Sequence, residues 1–204
     1  MENKFTFDKE NHLYQLDKVH IPGGSEILQS VGFSNYSMVN KEICEAARKF
    51  GDAGHTMCKL WDMEILNVSI LDLHLVPYLE GYRKFLATYK PEILPEWIEK
   101  SSYSSKWRFG FTPDRVARIS GELTIYDLKF VTTIQEATSI QLAGYKIGFE
   151  DVTKLKVIQR WGLQILPDDF NVEPYTDRRD EGAFLNALGV HNEKIRRGIW
   201  KEKP

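Results

Sequence analysis

Alternating apolar and charged positions run through the middle of the chain, from Phe109 to Val131. Two apolar-rich runs, Asp114 to Ile119 and Glu122 to Val131, flank Ser120-Gly121, a pair typical of a short hairpin turn. Successive side chains of a strand point to opposite faces. One face of the second run carries Leu123, Ile125, Asp127, Lys129 and Val131, and the other carries Thr124, Tyr126, Leu128 and Phe130. Because both faces are mostly apolar, the pattern predicts a strand buried on both sides.

The remaining periodicity predicts an α/β domain with a mixed central sheet. Short strands are predicted at Lys4 to Phe7, Leu13 to Leu16, Val19 to Ile21, Trp97 to Tyr103, Leu155 to Ile165 and Val172 to Tyr175. Helices are predicted from Ser25 to Val31, from a cap at Asn40 to Ile65, from Ser69 to Tyr89, from Gln135 to Phe149, and from Asp177 onward, with a loop at Gly32 to Val39. We expect one domain of 204 residues, comprising an N-terminal β element (1–24), a core (25–165) and a C-terminal strand and helix (166–204).

The predicted hairpin brings two carboxylates together. Pairing Ile119 with Glu122 across the turn places Asp114 directly opposite Asp127, with Cβ atoms roughly 4.5–5.5 Å apart. Two like charges at this separation repel, so a structure that keeps both requires a cation between them. Lys129 lies two residues farther, about 7 Å along the same face. A bulge at Pro113 would shift this register.

Composition limits the kinds of binding surface and the cellular compartment that we expect for the protein. The net charge is −2 and the pI is about 6.2, so any anion-binding surface has to be local. Two cysteines, Cys44 and Cys58, are too few for a disulfide framework, which favours a reducing compartment. Neither a signal region nor a membrane-spanning run is evident, so we expect a soluble, cytoplasmic protein without a membrane partner.

Asp114, Asp127 and Lys129 suit metal-assisted phosphodiester hydrolysis. Carboxylate oxygens bind Mg²⁺ or Mn²⁺, which leaves coordination positions for water and a phosphate oxygen. The lysine could orient or deprotonate the attacking water, or neutralise charge that develops on the phosphate. The alternative is a surface hairpin whose charges are solvated and joined in a salt bridge. The apolar opposite face and the cross-strand carboxylate favour the metal site.

These residues carry a family resemblance. Thr112-Pro113-Asp114, twelve intervening residues and Asp127-Leu128-Lys129 resemble the core of the PD-(D/E)XK nuclease superfamily, and more narrowly its RecB-type, phage-exonuclease-like branch. Three further segments resemble motifs of that branch in the same order: Gly51-Asp-Ala-Gly-His55, Glu99 ahead of Tyr103, and Gln141-Leu-Ala-Gly-Tyr145. The resemblance covers roughly residues 25–165. It implies a restriction-endonuclease-like core with a mixed central sheet flanked by helices.

The resemblance also implies roles for individual residues. Asp114, Asp127, His55 and the Leu128 carbonyl would bind one or two Mg²⁺ or Mn²⁺ ions. Catalysis would involve Lys129, with Glu99, Gln141 and Tyr145 shaping the site.

Three of these roles have alternatives. His55 could be a structural histidine on an apolar helix face. Glu96 competes with Glu99 for one role, and Gln141 could be merely partly buried. One position departs from the family pattern: Phe111 stands where members commonly have a small residue three positions before the first aspartate.

These roles predict a metal-dependent DNA exonuclease that hydrolyses phosphodiester bonds in phage-type DNA processing, recombination or repair. Its partner would be DNA with free ends, and a recombination protein is a possible second partner. The rivals are a structure-specific endonuclease on the same core and a non-catalytic nuclease-like DNA-binding protein, and RNA is not excluded as a substrate.

Basic residues could contribute a surface for nucleic acid. They cluster near the C-terminus and beside the hairpin at Arg178, Arg179, Lys194, Arg196, Arg197, Lys201, Lys203, Lys100, Lys106 and Arg108. Near Trp107, Phe109 and Trp200 they could track phosphates and stack bases. A solvated charged helix explains the C-terminal cluster equally well. Arg115 and Arg118 are an odd number of residues apart, so both cannot face one groove.

Overall fold

The computed structural model describes residues 4–34 and 41–201. Its strands are β1 Phe5–Asp8, β2 Leu13–Leu16, β3 Val19–Ile21, β4 Glu92–Ile93, β5 Ser102–Ser104, β6 Phe109–Phe111, β7 Arg115–Ile119, β8 Glu122–Lys129, β9 Gln159–Leu166 and β10 Asp169–Pro174. Its α-helices are α1 Gly24–Ser30, α2 Lys41–Asp62, α3 Val76–Tyr89, α4 Ala137–Thr153 and α5 Arg179–Arg196. The predicted loop after Ser34 and the predicted cap at Asn40 lie outside the described residues.

A five-stranded mixed sheet forms the centre of the fold, in the order β10-β9-β8-β7-β4. Strands β8 and β9 are parallel and are joined through α4, as a crossover between parallel strands requires, whereas the other neighbours pair antiparallel. A separate three-stranded sheet, β1-β2-β3, lies at the N-terminal end of the chain, and α5 is the C-terminal helix. The predicted α/β class, with a mixed central sheet, a small N-terminal sheet and a C-terminal helix, is confirmed.

The central strand β8 is covered on both faces, as its sequence predicts. Leu123 and Ile125 pack in a core with residues of α1, α4 and α5. Tyr126 and Leu128 pack in a second core with residues of α2 and α3. Since β8 is buried from Leu123 to Leu128, the charge of Asp127 has to be satisfied by the protein itself or by a bound ion.

Tyr14 joins the N-terminal sheet to the core. A Cβ atom on Gly110 would come within 2.4 Å of the Tyr14 ring, and one on Gly23 within 2.7 Å, so both glycines are needed for this contact. The Tyr14 hydroxyl also shares a 2.8 Å hydrogen bond with Thr112 Oγ1. Thr112 stands two residues before Asp114, so the N-terminal sheet supports the segment that leads into the hairpin.

Three predicted elements begin several residues later than the sequence predicts. Pro95–Trp97 is a short 3-10 turn, and only Ser102 and Tyr103 of the predicted Trp97 to Tyr103 strand are extended, in β5, which pairs with β6. The strand predicted from Leu155 begins at Gln159. The helix predicted from Ser69 begins at Val76, because Pro77 fits the first turn of a helix but would break its interior.

Within the described residues, none of the helices has the length and apolar character required to cross a membrane.

Candidate active site

The β7–β8 hairpin has the predicted register. Arg115 pairs with Tyr126 and Ile119 with Glu122, so Asp114 immediately precedes β7 at the level of Asp127. Ser120 and Gly121 both have positive φ, 51° and 82°, which is the backbone of a two-residue type I′ turn. This turn matches the twist of the flanking strands and fixes the register. Pro113 does not shift it.

Asp114 is held by several elements at once. Its Oδ2 accepts a 2.7 Å hydrogen bond from the backbone N–H of Leu128, and its Oδ1 lies 3.5 Å from His55 Nδ1. Its backbone carbonyl accepts bonds from the guanidinium of Arg115 and from the N–H of Glu99. Burial raises the pKa of Asp114, and His55 partly offsets this while the nearby Asp127 adds to it. The two carboxylates therefore act on each other in a largely buried setting.

Asp127 and Lys129 form a close ion pair. Lys129 Nζ lies 2.6 Å from Asp127 Oδ2, and the aspartate side chain is only 5% exposed against 26% for the lysine. Both project from the same face of β8, two residues apart. The ammonium group therefore stands at the mouth of the site, next to the buried carboxylate.

His55 reaches the site from the middle of α2. Its ring packs edge-on against Phe130, with 5.6 Å between ring centroids. A Cβ on the preceding Gly54 would lie 2.7 Å from the Phe130 ring, whereas a Cβ on Gly51 would meet no atom of the described residues within 4 Å. Glycine is thus required for close packing at Gly54 and not at Gly51.

Glu99 is placed differently from the sequence prediction. It is not on a strand but in a bend with φ 48°, and its N–H bonds the Asp114 carbonyl at 3.1 Å. Its carboxylate is paired with Lys59 at 3.1 Å and with Lys9 at 3.6 Å. Glu99 therefore contacts Asp114 through the main chain, and its charge is balanced by two lysines.

Gln141 and Tyr145 lie side by side on α4, as their spacing predicts. Gln141 Nε2 donates to the Tyr145 hydroxyl at 2.7 Å and to Ser25 Oγ at 3.3 Å. Burial, followed by the charge of Asp127, raises the pKa of Tyr145 well above its usual value. Gln141 and Lys129 line one cavity of about 450 Å³ together with residues of α1 and of the segment after β8. Gln141 thus borders this cavity with Lys129, and Tyr145 is buried near enough to Asp127 to be affected by its charge.

The departure at Phe111 also has a structural explanation. Phe111 is fully buried, stacks with Trp97 at 6.3 Å between centroids, and lies where a Cβ on Gly148 would come within 2.5 Å of its ring. Gly148 on α4 therefore makes room for the large side chain. The aromatic ring fills the core rather than the mouth of the site.

The residues fit a hard divalent cation in part. Asp114, Asp127 and His55 supply carboxylate and imidazole ligands, and Leu128 directs its carbonyl to the Asp114 side of β8, because the N–H and C=O of a strand residue point the same way. As placed, however, no three His, Cys, Asp or Glu side chains in the described ranges are gathered into a metal-binding cluster. A cation bound at Asp127 would also compete with the Lys129 ammonium for the same oxygen.

One group behind the site was missed by sequence reasoning. Arg115 is fully buried, and its Nε donates to Asp62 Oδ2 at 2.6 Å. The Tyr82 hydroxyl from α3 contacts both Asp62 carboxylate oxygens at 2.9 Å. The available signal was an aspartate seven residues after His55, on the same face of α2. Arg118, in contrast, is exposed, so the two arginines do face opposite ways.

The basic C-terminal helix is largely neutralised by its own acids. Arg196 and Arg197 both pair with Glu193, and Arg179 pairs with Asp177. This favours the solvated helix among the two interpretations of that cluster. Lys203 lies outside the described residues. Beside the hairpin, Lys106 lies over the ring of its neighbour Trp107, 4.6 Å from the centroid.

Comparisons with known proteins return only distant structural likeness. No protein-family model matches the chain, and neither does any curated protein. Among solved structures, an alkaline exonuclease from Laribacter hongkongensis (LHK-Exo) is 11% identical with a TM-score of 0.38, over 87% of this chain and 92% of that one. A protein titled SSO0001 is 12% identical with a TM-score of 0.35, over 72% of this chain and 68% of that one. TM-scores this low do not establish a common fold.

Proposed function

We propose that the protein is a metal-dependent deoxyribonuclease that hydrolyses phosphodiester bonds, acting as an exonuclease from DNA ends. The observation that supports this most is the end of the hairpin, where Asp114 and Asp127 face each other and Lys129 pairs with Asp127 at 2.6 Å. Keeping two facing carboxylates and an ammonium at this largely buried end of the hairpin is costly unless they serve a cation and its chemistry.

The cation would be Mg²⁺ or Mn²⁺. Asp114, Asp127, His55 and the Leu128 carbonyl would hold one or two such ions. A bound divalent ion would neutralise charge on the scissile phosphate and lower the pKa of a coordinated water.

The other contributions to catalysis would come from side chains of the protein. Lys129, at the edge of the cavity, would contact the attacking water or a phosphate oxygen and balance the charge that develops in the transition state. Gln141 and Tyr145, joined by their 2.7 Å hydrogen bond, would shape the site, with Gln141 lining the same cavity as Lys129. Because these groups are held by β8 and α4, little reorganisation would be needed during the reaction.

The test is release of nucleotides from end-labelled linear DNA in the presence of Mn²⁺. Lys129→Ala is expected to lower the rate at least about 100-fold, the usual loss for a group that assists proton transfer. Lys84→Ala is the matched control, because Lys84 also pairs with an aspartate, Asp169 at 2.8 Å, but on the surface of α3. Equal rates for wild type and Lys129→Ala would contradict a catalytic role.

A comparison of linear with circular DNA tests whether the enzyme requires a free DNA end. Covalently closed circular DNA offers no end, so an exonuclease leaves it intact while it degrades the same DNA after linearisation. Cleavage of closed circles would replace the exonuclease with an endonuclease on the same core. A matching RNA strand in the same assay distinguishes an RNA substrate.

A further inference from the structure

We propose that the buried Asp62–Arg115 ion pair is a clamp that holds His55 and Asp114 in position to bind the same cation. Asp62 and Arg115 would be positioning residues that touch neither metal nor substrate. The inference rests on the proposed metal-dependent function, which supplies the reason for aligning His55 with Asp114.

The guanidinium of Arg115 bridges the two segments that carry the ligands. Its Nε donates to Asp62 Oδ2 at 2.6 Å, and its Nη1 donates to the Asp114 backbone carbonyl at 2.7 Å. Asp62 ends α2 and stands seven residues after His55, about two helical turns away on the same face. One planar group therefore fixes α2 against the peptide of Asp114.

A third element completes the clamp. Tyr82 is fully buried on α3, and its hydroxyl contacts both carboxylate oxygens of Asp62 at 2.9 Å. Asp62 is thereby held between a guanidinium and a phenol, which leaves its side chain little freedom to rotate. Because Asp62 is the last residue of α2, holding its side chain in place also prevents the helix from sliding along its own axis.

Stability alone is a poor explanation for this pair. The Arg115 and Asp62 side chains are 0% and 2% exposed, and burial raises the pKa of Asp62 despite the neighbouring arginine. Apolar residues of similar volume are often as stabilising as a buried ion pair, or more so. What the fork geometry of arginine adds is direction, since it bonds two acceptors at fixed angles.

The clamp matters because the ligand pair is sensitive to position. His55 Nδ1 and Asp114 Oδ1 are 3.5 Å apart, and their elements are otherwise joined by apolar packing and, more remotely, by the ion pair of Lys59 with Glu99. Apolar contacts tolerate sliding, whereas a shift of about 1 Å at a reacting centre can cost on the order of 100-fold in rate. Partners that orient metal ligands typically contribute 10–100-fold in metal affinity.

The experiment measures Mn²⁺ affinity of the full chain by electron paramagnetic resonance, with folding checked by circular dichroism. The double variant Asp62→Leu/Arg115→Met replaces the ion pair with apolar side chains, and we expect its Mn²⁺ dissociation constant to rise about 10–100-fold. Asp62→Asn keeps an acceptor for Arg115, so we expect its Mn²⁺ dissociation constant to be closer to that of wild type than the dissociation constant of the double variant is. Should the double variant fail to fold, Arg115→Lys replaces it, because lysine keeps the charge but has one nitrogen where the planar guanidinium holds two at fixed positions.

The matched control is a second well-buried Arg–Asp pair, Arg160 and Asp180, 3.0 Å apart with side chains 6% and 14% exposed. Asp180→Leu/Arg160→Met is expected to change thermal stability and leave Mn²⁺ affinity within about twofold of wild type.

The outcomes separate the two proposals. If a folded Asp62→Leu/Arg115→Met protein, or a folded Arg115→Lys protein in its place, binds Mn²⁺ as wild type does, the clamp is refuted while the metal site stands. If wild type shows no Mn²⁺ binding that His55→Ala or Asp114→Ala weakens, the proposed function fails, and the clamp fails with it.

Discussion

Asp114 and Leu128 are joined across the hairpin by a 2.7 Å hydrogen bond from the Leu128 N–H to Asp114 Oδ2. This bond extends the β7–β8 pairing by one step, with a side chain in place of a backbone carbonyl. Asp114 is thus both a structural acceptor for a buried N–H and a candidate metal ligand. Substitutions can separate the two roles.

Asp114→Asn is expected to abolish nuclease activity and keep the fold. The asparagine carbonyl can still accept the Leu128 N–H, and removing one of two facing charges relieves repulsion, so the free energy of unfolding should be unchanged or higher. Asp114→Ala instead leaves the buried N–H unpaired, at a cost of about 1–3 kcal/mol. Urea unfolding compares the two variants. Equal destabilisation by both would contradict the structural role of the hydrogen bond.

Substitution by alanine is expected to affect stability differently at two glycines of α2. Gly51→Ala should raise the free energy of unfolding by up to about 1 kcal/mol, because its Cβ meets none of the described residues and alanine favours the helix. Gly54→Ala should lose this gain, because its Cβ would lie 2.7 Å from the Phe130 ring. Displacing Phe130 also moves the ring that packs on His55, so we expect lower nuclease activity. A gain in stability for both variants would count against this packing.

Gly81→Ala is expected to be strongly destabilising. Its Cβ would lie 2.3 Å from the carbonyl oxygen of Asp169 and 2.4 Å from that of Leu166, and backbone atoms cannot rotate away. Overpacking of this kind costs about 1–3 kcal/mol or more, which exceeds the gain in helix propensity. Gly189→Ala on α5 is the control, because a Cβ there would have no neighbour within 4 Å in the part of the chain that the structure describes. Denaturant unfolding of both variants checks the difference, and equal stability would contradict the close contact of α3 with the β9–β10 turn.

Tyr14 is expected to make the protein sensitive to alkaline pH. Burial raises the pKa of its hydroxyl to about 12. Between pH 10 and 12 the unfolded chain therefore loses this proton while the folded chain keeps it, and stability falls as pH rises. The slope is at most about 1.4 kcal/mol per pH unit for one such tyrosine.

Urea unfolding at several pH values between 8 and about 11.5 measures this slope, with wild type compared to Tyr14→Phe. Above pH 10 the free energy of unfolding should fall less steeply with pH for Tyr14→Phe than for wild type. The loss of the hydrogen bond to Thr112 should lower the free energy of unfolding by the same amount at all pH values. Identical slopes would show that Tyr14 is not buried as described.

Much of the fold and part of the site could be predicted because the signals are local. The Ser120-Gly121 turn fixes the register of the hairpin, and the register alone places Asp114 beside Asp127. Apolar residues on both faces of β8 predict helices on both sides of the sheet. The spacing of Gln141 and Tyr145 puts them on one helical face, where they do form a hydrogen bond.

The parts that could not be predicted depend on long-range contacts. Glu99 is drawn toward Lys59 and Lys9, which are distant in sequence, and this pairing leaves no periodic pattern. The Asp62–Arg115 pair joins the end of a helix to the start of a strand, so neither residue stands out alone. Whether such charges meet is decided by how α2 packs on the sheet.

Anomalous diffraction from crystals soaked in Mn²⁺ tests the central claim most directly. The account predicts an ion within roughly 2.0–2.6 Å of carboxylate oxygens from both Asp114 and Asp127, with Lys129 displaced from the oxygen it now contacts. No anomalous peak at these carboxylates at saturating Mn²⁺, with Lys129 still 2.6 Å from Asp127, would contradict it.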